Sequence, residues 1–211
     1  MSMNLKRKAM KLLNKVFYIC LLICLVNYAS YAQGGYTNIT YNMAMPLGST
    51  ADYISNTSFR GISLEIGTAF NENFSIGLGG SWHIFYQHPG YSTVELSNTS
   101  AISGMEYRYI NALPIMAIGR YLFNSQGKFT PFIGTGVGTA YIEQRTDIGS
   151  VPFESSAWHV AVAPEVGAIV EVGYRTNLFL NARFTNAFKS GDMDNLSMAG
   201  LNLGITYSLS R

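Results

Sequence analysis

Six charged residues interrupt apolar and aromatic runs in this chain: Glu65, Arg108, Arg120, Glu165, Glu171 and Arg183. Opposite charges on one buried face are normally paired and close the space they line, whereas the same charges along an open passage select ions. His83 and His159, with Glu106 and Arg108, invite a metal or pH-sensing reading. Two histidines without a defined spacing are a poor metal pattern, however, so the expected role is a hydrogen bond at a mouth, with no metal and no cofactor. Nucleophilic chemistry on lipid would need a Ser, a His and an acid together on one outward rim. No outward Ser stands beside either histidine, and the chain is not expected to be an enzyme. The run GTGVGT, Gly134 to Thr139, is not followed by a helix, so it lacks the mechanics of a phosphate loop. Its glycines recur every second residue and are expected to make room for the Glu and Arg side chains.

The elements that must position these residues alternate with period 2 to the end of the chain. About eight strands are expected, at 36–47, 59–70, 73–87, 104–123, 128–144, 157–174, 177–188 and 196–209. Their connections alternate in length. NEN, NSQG and YRTN are tight, and 49–58, 88–103, 145–156 and 189–195 are longer and polar. Short turns on one side and long loops on the other are the signature of a transmembrane barrel, and an even strand count returns the chain to its starting side. Pro114, Pro131 and Pro164 fall within strands and are expected to mark bulges. If YRTN is a two-residue hairpin, Arg183 falls opposite Gly167 or Ile169, diagonal to Glu165 or Glu171.

Splitting the strands by parity separates two faces. Ile62, Leu64 and Ile66 oppose Ser63, Glu65 and Gly67; Phe74, Ile76, Leu78, Trp82, Ile84 and Tyr86 oppose Ser75, Gly77, Gly79, Ser81 and His83. The apolar face has no charge through its middle. Aromatics flank it, with Trp82, Tyr86, Tyr107, Tyr109, Tyr141 and Trp158 near the loop ends and Phe70, Phe74, Tyr121, Phe123, Phe129 and Tyr174 near the turn ends. A soluble barrel would put its large apolar residues inside. An apolar band between two aromatic girdles belongs in lipid, so the polar face is the lumen. A closed ring also leaves no backbone edge in the bilayer. The expected fold is all-β, a closed antiparallel transmembrane β-barrel of about eight strands.

The N-terminus carries Lys6, Arg7, Lys8, Lys11 and Lys15, then the apolar run VFYICLLICLVNYA and the small residues Ser30 and Ala32. This is the pattern of a cleaved Sec signal over residues 1–32, too short in its apolar part to span a bilayer, leaving residues 33–211 as the barrel. Both cysteines lie in the signal, so no disulfide framework is expected after cleavage. Five of the 14 Lys+Arg leave as well, and the remaining nine against 12 Asp+Glu give a net charge of about −3. That slight acidity offers no basic field for nucleic acid.

The stretches FRGISLEIGTAFNENFSIGLGGSWHIFY and YINALPIMAIGRYLF resemble the small outer-membrane β-barrel proteins of the OmpX, OmpW and OmpA-barrel type, common in Bacteroidota. The resemblance runs over the mature chain and implies location in the bacterial outer membrane, contact with its lipid and a monomeric state. It carries no catalytic signature. Such chains usually finish on an aromatic residue, whereas Tyr207 here is followed by Ser-Leu-Ser-Arg. The expected role is structural, with a lumen plugged by the charge network and outer loops available to an extracellular ligand or protein. The alternatives are a small pore, or OmpW-like passage of small solutes, and more distantly a lipid-A-modifying barrel.

Overall fold

The computed structural model describes residues 34–97, 100–123 and 127–208; the expected signal, residues 1–32, lies outside them. Eight strands follow in chain order: β1 (Gly35–Leu47), β2 (Ser58–Ala69), β3 (Phe74–Ser97), β4 (Ser100–Leu122), β5 (Phe129–Ile148), β6 (Val151–Glu171), β7 (Thr176–Ala187) and β8 (Leu196–Ser208). Each pairs antiparallel with the next, and β1 pairs with β8 from Tyr36↔Ser208 to Leu47↔Ser197, closing the ring. A short helix, α1 (Ser49–Tyr53), lies between β1 and β2.

The parity split holds in three dimensions. Val160 is 65% exposed and Leu78 57%, within an outward face that also carries Ile39, Leu64, Ile115 and Leu203. A soluble protein rarely leaves so large an apolar surface in water, so this band faces lipid. Aromatic contacts stiffen both of its borders. Phe74 meets Tyr121 edge-on at 5.0 Å and Tyr121 meets Phe123 at 4.9 Å on the turn side, while Tyr141 lies 5.3 Å from Trp158 on the other. Phe70, Phe129 and Tyr174 are exposed on the turn side as well.

Three expectations need correction. Residues 88–97, 100–103, 145–148 and 151–156 are strand rather than loop, because β3 to β6 run 20 to 24 residues each. A membrane strand needs only about 9–11. Beyond the bilayer both faces of a strand can be polar, so the alternation that marks a strand in lipid fades. Tyr91, Thr93, Val94, Ile102 and Thr146 still favour extended backbone there. The β5–β6 hairpin closes between paired Ile148 and Val151, with Gly149 at φ 59°, a left-handed conformation that suits glycine.

The prolines do not mark bulges. Pro114 pairs with Ala140 and Pro131 with Ala168 in unbroken register, although on its other side Pro114 falls where the β3–β4 ladder lacks rungs between Gly80↔Ile115 and His83↔Ala112. Pro164 keeps register too, but the β6–β7 ladder lacks its rungs between Val162↔Asn186 and Glu165↔Arg183. Proline has no N–H to offer Phe184, and that one missing donor accounts for the gap.

The third correction concerns register at the last tight turn. Glu171 pairs with Asn177, so residues 172–175 form the turn rather than a two-residue hairpin. Arg183 therefore stands directly opposite Glu165.

Candidate functional site: a lumen closed at two levels

Glu65 on β2, Arg120 on β4, Glu165 on β6 and Arg183 on β7 converge inside the ring. Arg120 forks to Glu65, with Nη1 donating to Oε1 and Nη2 to Oε2 at 2.7 Å, and its Nε donates to Glu165 Oε1 at 2.5 Å. Arg183 donates from Nε and Nη2 to Glu165 Oε2 at 2.8 and 2.6 Å. Tyr36 donates to Glu65 Oε1 at 2.7 Å, and Asn181 donates to Glu165 Oε2 at 2.7 Å while accepting from Asn202 at 2.6 Å. Two guanidiniums and two carboxylates thus cancel, and the acceptors of both carboxylates are engaged. Arg120 also packs over the rings of Phe132 and Phe179, at 5.2 and 5.1 Å.

Small residues make this crossing possible. A Cβ on Gly134 would lie 2.7 Å from the Gly119 carbonyl oxygen and 2.9 Å from Arg120 Cγ. One on Gly77 would lie 2.9 Å from Glu65 Oε1. The inward glycines of β3 and β5 are therefore the space that the long charged side chains occupy. Between Ser63, Ser81, Met116 and Arg183 a cavity of about 10 Å³ remains, room for about one water.

Above the charges the lumen is apolar. Ala44, Phe85, Ile110, Ala112, Ile142 and Met198 are all buried there and pack together. The plug on top comes from the connection expected to be a plain polar loop. Its Ile54 is fully buried in this cluster, and Thr50 is 3% exposed. Polar contacts pin the segment to the wall. Ser197 N–H donates to Thr50 Oγ1 at 2.8 Å, Ser55 N–H donates to Gln87 Oε1 at 2.6 Å, and Tyr53 Oη lies 2.6 Å from Thr146 Oγ1. Arg108 donates to the Tyr53 carbonyl at 2.9 Å and lies over its ring, while also pairing with Glu106. Burial raises the Tyr53 phenol above its ordinary pKa, so it stays a neutral hydrogen-bonding group. Sequence reasoning missed α1 and Ile54; the available signal was one isoleucine in an otherwise polar connection.

The expected network therefore divides. Glu65, Arg120, Glu165 and Arg183 come together; Arg108 joins Glu106 at the lid, one storey above. Glu171 is exposed at the turn end of β6 and takes no place in the buried cluster. His83 and His159 point inward but are 6% and 1% exposed, under the lid rather than at an open mouth. The lid and the strand extensions bury positions that would otherwise have been rim. His159 Nδ1 lies 2.8 Å from the Phe188 carbonyl oxygen. Among the described residues no three metal-ligating side chains gather.

The family model for the outer membrane protein beta-barrel domain matches residues 20–208. The chain belongs to this outer-membrane β-barrel family. Solved structures of similar fold include Neisserial surface protein A, at 16% identity and a TM-score of 0.57, with 82% of this chain and 96% of that one covered. Ail, the attachment invasion locus protein of Yersinia pestis, aligns at 12% identity and 0.51, covering 84% and 99%. OprG from Pseudomonas aeruginosa aligns at 11% and 0.52, covering 85% and 97%. At such identities the likeness is one of fold. A search among curated proteins gave no sequence match. This family member is a protein of the outer membrane, and its apolar band faces the lipid there.

Proposed function

We propose that this outer-membrane barrel is a non-conducting, monomeric and non-enzymatic anchor, exported by a cleaved signal over residues 1–32, that presents β3 to β6 outside the cell for binding. One observation carries the reading: the lumen is filled twice over, by the Glu65–Arg120–Glu165–Arg183 cluster and by the apolar plug under Ile54. A barrel with no passage has its remaining surfaces available for function, and the longest of these is the four-stranded sheet that projects beyond the girdle. Past His83 β3 has no rung with β2, and before Ala161 β6 has none with β7, so both sides of the projection are strand edges. Such edges can accept an extended peptide as an added strand. Ail is named for attachment and invasion, which is in keeping with a surface role for this fold.

The test is planar-bilayer conductance of refolded protein whose heat-dependent gel shift establishes a closed barrel. Silence is expected; discrete steps would make the charges a selectivity filter and overturn the reading.

A second reading, lateral passage of apolar solutes as OmpW-like resemblance implies, is favoured by the missing rungs at Pro164. They lie on the floor of an apolar groove of about 750 Å³ in the lipid face, walled by Met43, Phe59, Ile133, Val166, Phe184 and Leu201. Restoring the donor with Pro164→Val would abolish apolar solute uptake into proteoliposomes on this second reading and change nothing on the first.

A further inference from the structure

Where β3 and β4 leave the membrane, their outward face carries four rings in contact. His88 lies flat on Tyr107, with centroids 4.5 Å apart and planes 11° from parallel. Tyr107 stacks on Tyr86 at 6.4 Å and 20°, and Tyr86 lies 5.1 Å from Tyr109. The His88 ring is held in place by Nδ1, 2.8 Å from the Glu106 carbonyl oxygen. None of the three tyrosine hydroxyls has a protein hydrogen-bond partner among the described residues. On the next strand Tyr109 stands opposite Arg145, and Tyr107 opposite Asp147. Arg145 Nε donates to Asp147 Oδ1 at 2.8 Å, and its Nη1 lies 3.1 Å from Glu154 Oε1. The Arg145 side chain is 44% exposed, and these two contacts leave most of its five N–H donors pointing at solvent.

Anchoring at the interface explains a single tyrosine on such a face, as it does Trp82 four residues further in. It does not explain a continuous tier of rings with an exposed guanidinium and two carboxylates at its side. The C–H face of a sugar ring is weakly positive and apolar, which complements the negative face of an aromatic ring. Sugar hydroxyls around that face need the fixed donors and acceptors that Arg145, Asp147, Glu154 and the phenols supply. The tier lies directly above the lipid-facing band and points away from the barrel axis. What meets an outward side chain at that height is the saccharide layer of the outer leaflet.

We propose that Tyr86, Tyr107, Tyr109 and His88, with Arg145 and Asp147, form a binding platform for the saccharide headgroup of outer-leaflet glycolipid. It names a partner for the projecting sheet and so rests on the reading of that sheet as the interaction surface, but not on the silence of the lumen.

The test uses the full mature chain in phosphatidylcholine nanodiscs, with core oligosaccharide released from lipopolysaccharide by mild acid as the probe and tyrosine fluorescence as the readout. Wild-type protein is expected to give a saturable change. Tyr107→Ala and Arg145→Gln should each weaken binding about tenfold while the heat-dependent gel shift is unchanged. Tyr107→Phe, which keeps the ring, should retain most of the affinity. No saturable change in the wild type overturns the proposal, as does wild-type affinity in both Tyr107→Ala and Arg145→Gln. Either result leaves the sealed-anchor reading to its own conductance test. Mass measurement of the nanodisc particle checks the remaining occupant of this face, since a dimer that dissociates on Tyr107→Ala would overturn the proposal in favour of a second copy.

Discussion

Arg120 is the residue on which both carboxylates of the lumen depend. It meets Glu65 with two nitrogens and Glu165 with a third, and it is 3% exposed. Removing it leaves two negative side chains inside the ring, with Arg183 reaching Glu165 alone. Breaking a buried pair in this way costs about 3–5 kcal/mol. Arg120→Ala is therefore expected to lower the urea midpoint of the micelle-refolded barrel sharply, read as the fraction that keeps its heat-dependent gel shift. Arg183→Ala should cost less, about 1–3 kcal/mol, because Glu165 keeps Arg120 and Asn181. Equal effects from the two substitutions would mean that the cluster does not act through its shared centre.

At the scale of elements, the lid and the charge cluster are independent seals. The connection through α1 contributes two buried residues, Ile54 and Thr50, and hydrogen bonds to the wall at Ser197, Gln87 and Thr146. Deleting residues 49–55 uncovers the apolar cluster but leaves the salt-bridged layer beneath it. Single-channel recordings of this deletion are expected to stay silent, whereas the deletion combined with Arg120→Ala should give discrete openings. Openings from the deletion alone would show that the charge layer does not block the lumen. The paired extensions of β3 to β6 stand apart from both seals, and ion pairs such as Arg145–Glu154 can lie there in water, where they contribute little to stability.

For the whole molecule the decisive asymmetry is between the lumen face and the lipid face. A charge in the lumen meets a partner; a charge in the middle of the band meets hydrocarbon. Leu78 is 57% exposed on that band, while Gly77 and Gly79 beside it look inward at Glu65. Leu78→Arg is expected to destabilise the barrel by about 2–4 kcal/mol when folded into vesicles, and Tyr91→Arg, on the projecting β3, by almost nothing. Parity decides which residues face lipid, and depth along the strand sets the penalty on that face. A similar cost at both positions would contradict the assignment of Leu78 to the bilayer.

The closed ring, its strand count, its two faces, its girdles and the lumen position of the four clustered charges all followed from the sequence. Each is a consequence of side-chain alternation in a strand and of the rule that backbone groups in lipid must pair within the protein. The charge partners were another matter. A change of turn length at 172–175 moved Arg183 from a diagonal neighbour of Glu165 to the position opposite it, and placed Glu171 beyond the cluster. Register is a property of the ring, which local sequence constrains only weakly where turns are ambiguous. The strand extensions escaped notice because alternation disappears once both faces are wet. Ile54 escaped because one apolar residue in a polar connection becomes a plug only when the barrel provides an apolar mouth to receive it. The sequence by itself determined which surface each strand turns to lipid and which to the lumen, since that is local geometry. Only the tertiary structure decided which charges meet, that a loop folds inward, and that His88, Tyr86, Tyr107 and Tyr109 form one tier, since these depend on contacts between residues distant in sequence.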